Sequence, residues 1–362
     1  MKILHIHPSM AGGGIESMIC ALANEMSNTE DVSVCSIFEP KDVDIFWYKL
    51  NSKVKKSTLG KRKSGFSLRV LWNIFRFIRK GDYDVVNLHG MFYYYIIAVV
   101  LLHHKISFFY TVHSDAVMEN SIWDKRLLRV KKFCFNKGWL HSITISKVSQ
   151  LSFTNLYNSP SNLIFNGVPS PEISEDNTVN RYRINDNTRV FIHAGRVSVP
   201  KNQLTLCKVF KCLIDDGSDV VLLIAGSIQS CDIFNALRPF FNERIVYLGQ
   251  RDDVAQLMAY SDAMCLPSLW EGLPVTLLEA LSVGCIPICS NVGGIPDVIQ
   301  NGINGFLSDS PTEEDYYRAV KKFLELTPVE RRNIKSQCMR TFSKFDITNT
   351  AKSYIDVYSK FK

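Results

Sequence analysis

The 362-residue chain has no long apolar run: the longest, residues 91–102, is twelve residues, whereas a membrane-spanning helix needs about 20. The opening Met1-Lys2-Ile3-Leu4-His5 lacks the charged flank and long apolar core of a secretory leader. No Cys-x-x-Cys pair occurs among the ten cysteines, which removes the commonest zinc and dithiol motifs. Cys265, Cys285 and Cys289 sit inside apolar, strand-like runs, so the cysteines are expected as buried thiols in a reducing, cytoplasmic compartment. Internal repeats and low-complexity tracts are also missing. With 46% apolar and 21% charged residues, a disordered tail or a small disulfide scaffold is excluded, and the length implies about two domains.

Acidic residues are missing from 53–80, which carries ten Lys and Arg among Phe66, Leu68, Val70, Leu71, Trp72, Ile74, Phe75, Phe77 and Ile78. A second basic, apolar stretch runs over 125–139. Up to Phe165 there are 21 basic and 12 acidic residues and beyond it 21 and 23, so the net charge of +7 belongs to the first half. Such stretches suit an anionic membrane surface; an ordinary helix with a solvated basic face has the same pattern. No nucleic-acid-binding motif accompanies the charge, so nucleic acid is not expected as a partner.

Short apolar runs alternate with helical patterns throughout: KILHIHP then 15–26, DVVNLHG, SFFYTVHS, HSITIS then 147–157. After the polar stretch PSPEISEDNTVNRYRINDNT the alternation resumes with VFIHAG, VVLLIAG, RIVYLG, AMCLPS, CIPICS and GFLSD. Strand and helix in alternation mean parallel sheets with crossover helices. The expected fold is α/β, two doubly wound Rossmann-like domains facing across a cleft. Their expected spans are 1–167 and 168–345, with 346–362 a helix packing back on the first domain.

In such sheets ligands bind beyond the carboxyl ends of the strands. VFIHAG leads into Arg196 and then Lys201, two cations able to bind a diphosphate. AMCLPS leads into Leu269-Trp270-Glu271-Gly272-Leu273-Pro274, after which 275–282 reads as a helix carrying Glu279. Phosphate suits that helix N-terminus and carboxylates suit hydroxyls. KILHIHP is followed by a turn containing Gly12, Gly13 and Gly14 that departs from G-x-G-x-x-G at Ser17, so a dinucleotide is not implied. His89 and His113 end two strands. Asp42-Val43-Asp44 and Asp82-Tyr83-Asp84 have the spacing of a divalent-cation pair, but neither follows a strand end in the second half.

The stretches HAGRVSVPKNQ, 245–307 and, upstream, NLIFNGV resemble the retaining GT-B glycosyltransferases of glycosyltransferase family 4. The Glu271-x7-Glu279 signature stands in the family's usual setting, between Pro267-Ser268 and Gly293-Gly294-Ile295-Pro296. The resemblance implies a hexosyltransferase-type enzyme (EC 2.4) with a nucleotide-diphosphate sugar, a uridine diphosphate sugar foremost, as donor. The donor is a substrate; no cofactor and no metal are expected. Glu271 would contact sugar hydroxyls, Glu279 the ribose, and Arg196 with Lys201 the diphosphate. Gly272, Leu273, Pro274, Gly13, Gly14 and Asn166 would line the donor, and His113 would lie beside the reacting sugar. The expected acceptor is a glycan or lipid-linked oligosaccharide of a bacterial surface polysaccharide pathway such as capsule or O-antigen synthesis, reached at the cytoplasmic membrane face. A nucleotide-sugar epimerase or hydrolase of similar fold is the alternative; it would consume donor without a second sugar.

Overall fold

A computed structural model describes residues 1–41, 44–63, 65–120 and 122–362, in two units: Met1–Pro169 with Asp346–Lys362, and Ser170–Phe345. Asp42 lies outside the described residues.

The first unit runs β1 (Lys2–His7), α1 (Gly14–Met26), β2 (Asp31–Phe38), α2 (Ile45–Lys49), β3 (Lys55–Lys61), α3 (Leu68–Gly81), β4 (Val85–His89), α4 (Ile96–Leu102), β5 (Ser107–Val112), α5 (Ile122–Arg126), α6 (Leu128–Asn136), β6 (His141–Thr144), α7 (Lys147–Tyr157) and β7 (Asn162–Leu163). The second runs β8 (Arg189–Ala194), α8 (Gln203–Asp215), β9 (Val220–Ala225), α9 (Cys231–Leu237), β10 (Ile245–Gly249), α10 (Val254–Tyr260), β11 (Ala263–Leu266), α11 (Val275–Ser282), β12 (Ile286–Ser290), β13 (Phe306–Ser308), α12 (Glu313–Leu324) and α13 (Pro328–Phe342). The chain then returns to the first unit as α14 (Ile347–Lys360).

Every strand pair is parallel, in the orders β3-β2-β1-β4-β5-β6-β7 and β10-β9-β8-β11-β12-β13. Each is the doubly wound order in which succession reverses next to the first strand, between β1 and β4 and between β8 and β11. The inner strands are continuous apolar runs because helices cover both faces, and β9 (VVLLIA) is buried at every position. Helix starts follow local chemistry: Ser146 and Ser149 form a capping box on α7, as do Thr327 and Glu330 on α13, which also has Pro328 in its first turn.

The basic stretch divides into two element types. Its first part is the exposed edge strand β3 and only its second part is helix α3, whose Val70, Leu71, Ile74 and Ile78 are buried. Asp82 ends α3 in the left-handed region, and Asp84 accepts the Lys2 amide at 2.8 Å and pairs with Lys362 at 3.1 Å, so this Asp-x-Asp is engaged in structure. Eight cysteines are buried as expected, but Cys212 and Cys231 are exposed, because α8 and α9 turn those positions outward.

Helix α14 is tied to the first sheet by polar and aromatic contacts. Tyr358 OH accepts from Asn87 Nδ2 at 2.8 Å, and Thr111 Oγ1 donates to Asn87 Oδ1 at 3.0 Å, all three residues being buried. The Tyr358 ring stacks at a tilt on Phe109, 4.7 Å between centroids. Tyr358→Phe leaves a buried amide donor short of an acceptor and is expected to lower unfolding free energy by about 1–2 kcal/mol in a urea titration followed by circular dichroism; an unchanged midpoint would show that Asn87 is satisfied otherwise.

Candidate active site

The reversal between β8 and β11 sends their following loops toward opposite faces of the sheet and opens a crevice at the strand ends. Both loops carry the chemistry read from the sequence. After β8, the Arg196 side chain is exposed and its guanidinium meets no partner among the described residues. Its carbonyl is held by Gln203 Nε2 at 2.8 Å and Ser198 Oγ at 3.2 Å. Gln203 also reaches His193 Nε2 at 3.2 Å, while His193 Nδ1 meets the Cys265 carbonyl at 2.9 Å. That carbonyl can only accept, so His193 carries its proton on Nδ1 and receives the Gln203 amide proton on Nε2. Burial lowers the His193 pKa to about 4, so the ring is neutral and serves as a fixed strut between β8, β11 and α8.

The two loops are also bonded to each other. Asn202, in the left-handed region at φ 52°, donates through Nδ2 to the Pro267 carbonyl at 3.1 Å, and the Leu269 amide donates to the Pro200 carbonyl at 2.8 Å. Across them Lys201 Nζ lies 2.6 Å from Glu271 Oε1, which also accepts from Ser268 Oγ at 2.6 Å. The side chains are 20% and 11% exposed, so the pair is shielded yet still reachable. Lys201 is therefore not a bare cation alongside Arg196: its charge is balanced by the Glu271 carboxylate.

Helix α11 begins after Pro274, with no side-chain cap; the Leu277 amide donates to the Pro274 carbonyl at 3.1 Å, which leaves the Val275 and Thr276 amides as the free donors of the helix N-terminus among the described residues. Leu273 and Pro274 are buried and Gly272 half-buried. The Gly272 carbonyl accepts the Gly294 amide at 2.6 Å, and Gly293 has φ 57° with no room for a Cβ against the Glu271 carbonyl. The two glycines thus let the loop after β12 press against the backbone of Glu271 and Gly272 and fix where Glu271 points. Glu279 lies half-buried on the second turn of α11. Arg196, Lys201, Glu271, Gly272, Leu273, Pro274 and Glu279 are thus brought to one sheet edge of one unit.

The remaining expected residues belong to the first unit. Gly13 is the N-cap of α1 and Gly14 its first residue, and the Glu16 carboxylate folds back over Gly13 where a Cβ would stand. Asn166 is 4% exposed beyond β7. His113 follows β5; its backbone N–H donates to Glu119 Oε1 at 3.1 Å, and its Nε2 lies 2.8 Å from His89 Nδ1. His89 Nε2 in turn lies 3.2 Å from His5 Nδ1. Burial lowers the His5 and His113 pKa values to about 4 and about 3, and with neighbouring imidazoles it holds His89 well below its usual value.

Glu119 and His5 were not singled out in the sequence, and Ser268, His193 and Gln203 stood there only inside matching stretches, with no role of their own. Beneath the His113 loop, Lys131 is 2% exposed with its ammonium 3.8 Å from the centre of the Tyr110 ring and 3.3 Å from Asn120 Oδ1. Asp124, also buried, accepts the Tyr93 amide at 3.1 Å. Burial pushes the Glu119 carboxyl up and the Lys131 ammonium down, so the charge balance of this cluster is set by packing. Among the described residues no group of three or more His, Cys, Asp or Glu is arranged to hold a metal ion.

Two families match the chain: Glycosyltransferase Family 4 over residues 12–170 and Glycosyl transferases group 1 over residues 174–338. Among curated proteins, N-acetyl-alpha-D-glucosaminyl L-malate synthase of Bacillus anthracis is 32% identical over 129 residues, 35% of this chain and 34% of that protein. UDP-Gal:alpha-D-GlcNAc-diphosphoundecaprenol alpha-1,3-galactosyltransferase of Escherichia coli is 30% identical over 182 residues, 48% of this chain and 46% of that protein. The chain thus matches a third to a half of the length of these relatives. Among solved structures, Anabaena Alr3699/HepE in complex with UDP aligns with TM-score 0.81 at 19% identity, over 99% of this chain and 100% of that one. A glycosyltransferase from Rickettsia africae aligns with TM-score 0.82 at 17% identity, over 99% and 98%. These structural likenesses concern the fold. With one family spanning the first unit and the other the second, the chain belongs to the GT-B glycosyltransferases of family 4.

Proposed function

We propose that the chain is a retaining hexosyltransferase that moves a sugar from a nucleotide-diphosphate sugar, a uridine diphosphate sugar foremost, to a glycan or lipid-linked oligosaccharide of a bacterial surface polysaccharide pathway. The observation that carries this reading is the Lys201–Glu271 pair at the β8/β11 reversal, beside the free amides of α11. An ammonium, a guanidinium and a helix N-terminus suit a diphosphate, and a carboxylate pinned by Ser268 suits sugar hydroxyls. On donor arrival Lys201 exchanges its carboxylate for phosphate oxygens, while Glu271 accepts from the sugar. Glu279 is assigned to the ribose, and Gly272, Leu273 and Pro274 to the rim around the diphosphate.

In transfer the new bond forms between the acceptor oxygen and the anomeric carbon as the bond from that carbon to the diphosphate oxygen breaks. The departing diphosphate gathers negative charge, which Arg196, Lys201 and the α11 amides stabilise without a divalent cation. Glu271 is committed to Lys201 and Ser268 and then to sugar hydroxyls, so it is not the nucleophile; the acceptor proton passes to the leaving phosphate on the same face, which retains configuration. Gly13, Gly14, Asn166 and His113 are assigned to donor and acceptor contacts. Because the Glu16 carboxylate covers Gly13, the glycine turn is assigned to sugar or acceptor hydroxyls before phosphate.

The lipid-linked form of the acceptor draws on the diphosphoundecaprenol in the name of the Escherichia coli relative and on α3. Leu68, Arg69, Trp72, Arg76, Arg79 and Lys80 are exposed along this helix, and Phe66 is exposed just before it. Residues 45–81 contain no Asp or Glu, and of their cations Lys55 and Arg62 pair with Asp31 and Glu39 of neighbouring segments. Each Lys or Arg at an anionic bilayer contributes about 1 kcal/mol, and aromatic side chains seat at its interface. These features support a peripheral position at the cytoplasmic membrane face.

Glu271→Gln is expected to lower kcat/KM for the donor by about 100-fold or more, the scale of losing one positioned group at a developing charge, with an unchanged circular dichroism spectrum; transfer within a few-fold of the native rate would remove Glu271 from the site. In flotation with liposomes, the protein is expected to rise with vesicles containing phosphatidylglycerol and not with phosphatidylcholine alone, and Trp72→Ala with Arg76→Ala is expected to weaken it. Equal behaviour with both vesicle types would remove the membrane assignment.

A further inference from the structure

We propose that His5 and His89 fix the tautomer of His113, so that His113 meets its ligand as a neutral hydrogen-bond donor through Nδ1–H and does not serve as a base. This rests on the assignment of His113 to the site. The three rings come from β1, the end of β4 and the residue after β5, side by side at the β1/β4 reversal of the first sheet. They form a file: His5 Nδ1 to His89 Nε2 at 3.2 Å, then His89 Nδ1 to His113 Nε2 at 2.8 Å. His5 and His89 have no exposure and His113 has 7%.

A neutral imidazole has one donor and one acceptor nitrogen, so each link needs one proton and the file is polarised in one of two directions. In the first, every ring is protonated on Nδ1: His5 donates to His89, His89 donates to His113, and His113 presents Nδ1–H at the open end. In the second, every ring is protonated on Nε2, and His5 Nε2 carries the last proton. The buried end decides between them. His5 Nε2 has no partner among the described residues and is sealed from the surface. Placing an N–H there strands a donor, the rarer and costlier orphan, whereas the first direction leaves only an acceptor lone pair. A mixed arrangement breaks one of the two links.

The open end differs in kind. His113 Nδ1 takes no hydrogen bond from the described residues and is not among the sealed atoms, so it remains available to a ligand. The ring is held in place by its Nε2 link and by its backbone N–H on Glu119 Oε1. Burial keeps all three rings unprotonated at neutral pH, so no added charge disturbs the polarity. His7, edge-on to His89 with centroids 6.3 Å apart, is tied by Nδ1 to the Ser9 carbonyl and does not compete for a place in the file. A donor N–H fits a hydroxyl or phosphoryl oxygen of a bound sugar nucleotide. His5 and His89 act through His113 and are positioning residues.

The test is the histidine nitrogen spectrum of the whole 15N-labelled protein without substrate, which reads each tautomer whether or not transfer occurs. The expected result at about pH 7 is a protonated Nδ1 and a bare Nε2 on His113, His89 and His5. His5→Asp places an acceptor where Nδ1 stands, so His89 must donate through Nε2 and the file reverses: His113 should carry its proton on Nε2 and kcat should fall about tenfold, the cost of one hydrogen bond, with donor KM nearly unchanged. His5→Asn, whose amide nitrogen can occupy the place of Nδ1, should keep the native tautomer and rate. A native His113 protonated on Nε2 would overturn the proposal, and so would a folded His5→Asp protein whose His113 keeps its Nδ1–H. Absence of transfer with the expected spectrum would instead sink the glycosyltransferase reading and leave the tautomer assignment standing.

Discussion

An ammonium and a carboxylate 2.6 Å apart, drawn from loops seventy residues distant in sequence, are the constraint around which the second unit is organised. A doubly wound sheet separates the loops after its adjacent central strands, and something must hold them in register at the crevice this creates. Here the Asn202 amide, the Leu269 amide and the Lys201–Glu271 pair do so. A half-shielded ion pair contributes little to stability on balance, because desolvation offsets its Coulomb attraction. Under the proposed function its value is in placement, since each charge stands where a ligand of opposite polarity would replace the partner. Gly293 and Gly294 support it from behind by allowing backbone contact with Glu271 and Gly272.

The first unit solves a different problem. Its sheet buries polar side chains on the face under α14, where Asn87, Thr111 and Tyr358 satisfy one another and the histidine file runs alongside. Buried polar groups specify geometry only when their hydrogen bonds are made. The atom left out, His5 Nε2, is where the arrangement has direction. Glu119 anchors the backbone that carries His113, while Lys131 stands against the Tyr110 ring of β5 and Asp124 holds the Tyr93 amide. Both units therefore use charges and imidazoles held by second partners.

Much of the fold was legible because continuous apolar runs separated by amphipathic stretches can only be parallel strands and crossover helices. The helices at 147–157 and 275–282 match that reading residue for residue. Strand β3 was not legible: KKSTLGK has no apolar alternation, as suits an edge strand exposed along most of its length. Strand β2 was passed over because Ser33, Cys35 and Ser36 interrupt its apolar run, although the sheet buries them. At the site, Arg196, Lys201, Glu271 and Glu279 stood out near strand ends and took their expected roles from the family resemblance, but the bond between Lys201 and Glu271 was not visible, because it depends on β8 and β11 being neighbours. The histidine file was hidden for the same reason, since it depends on the register that sets His5 against Asn87 and His89 against Thr111. His89 was visible as a strand end; its role between two other rings was not.

Calorimetric titration of uridine diphosphate into the native protein and into Lys201→Met tests the exchange of carboxylate for phosphate most directly. The account predicts saturable binding to the native protein and at least about tenfold weaker binding to the variant, the scale of losing one charge-assisted hydrogen bond. Equal affinity in the two proteins, or no binding of uridine or any other nucleoside diphosphate to the native one, would contradict it.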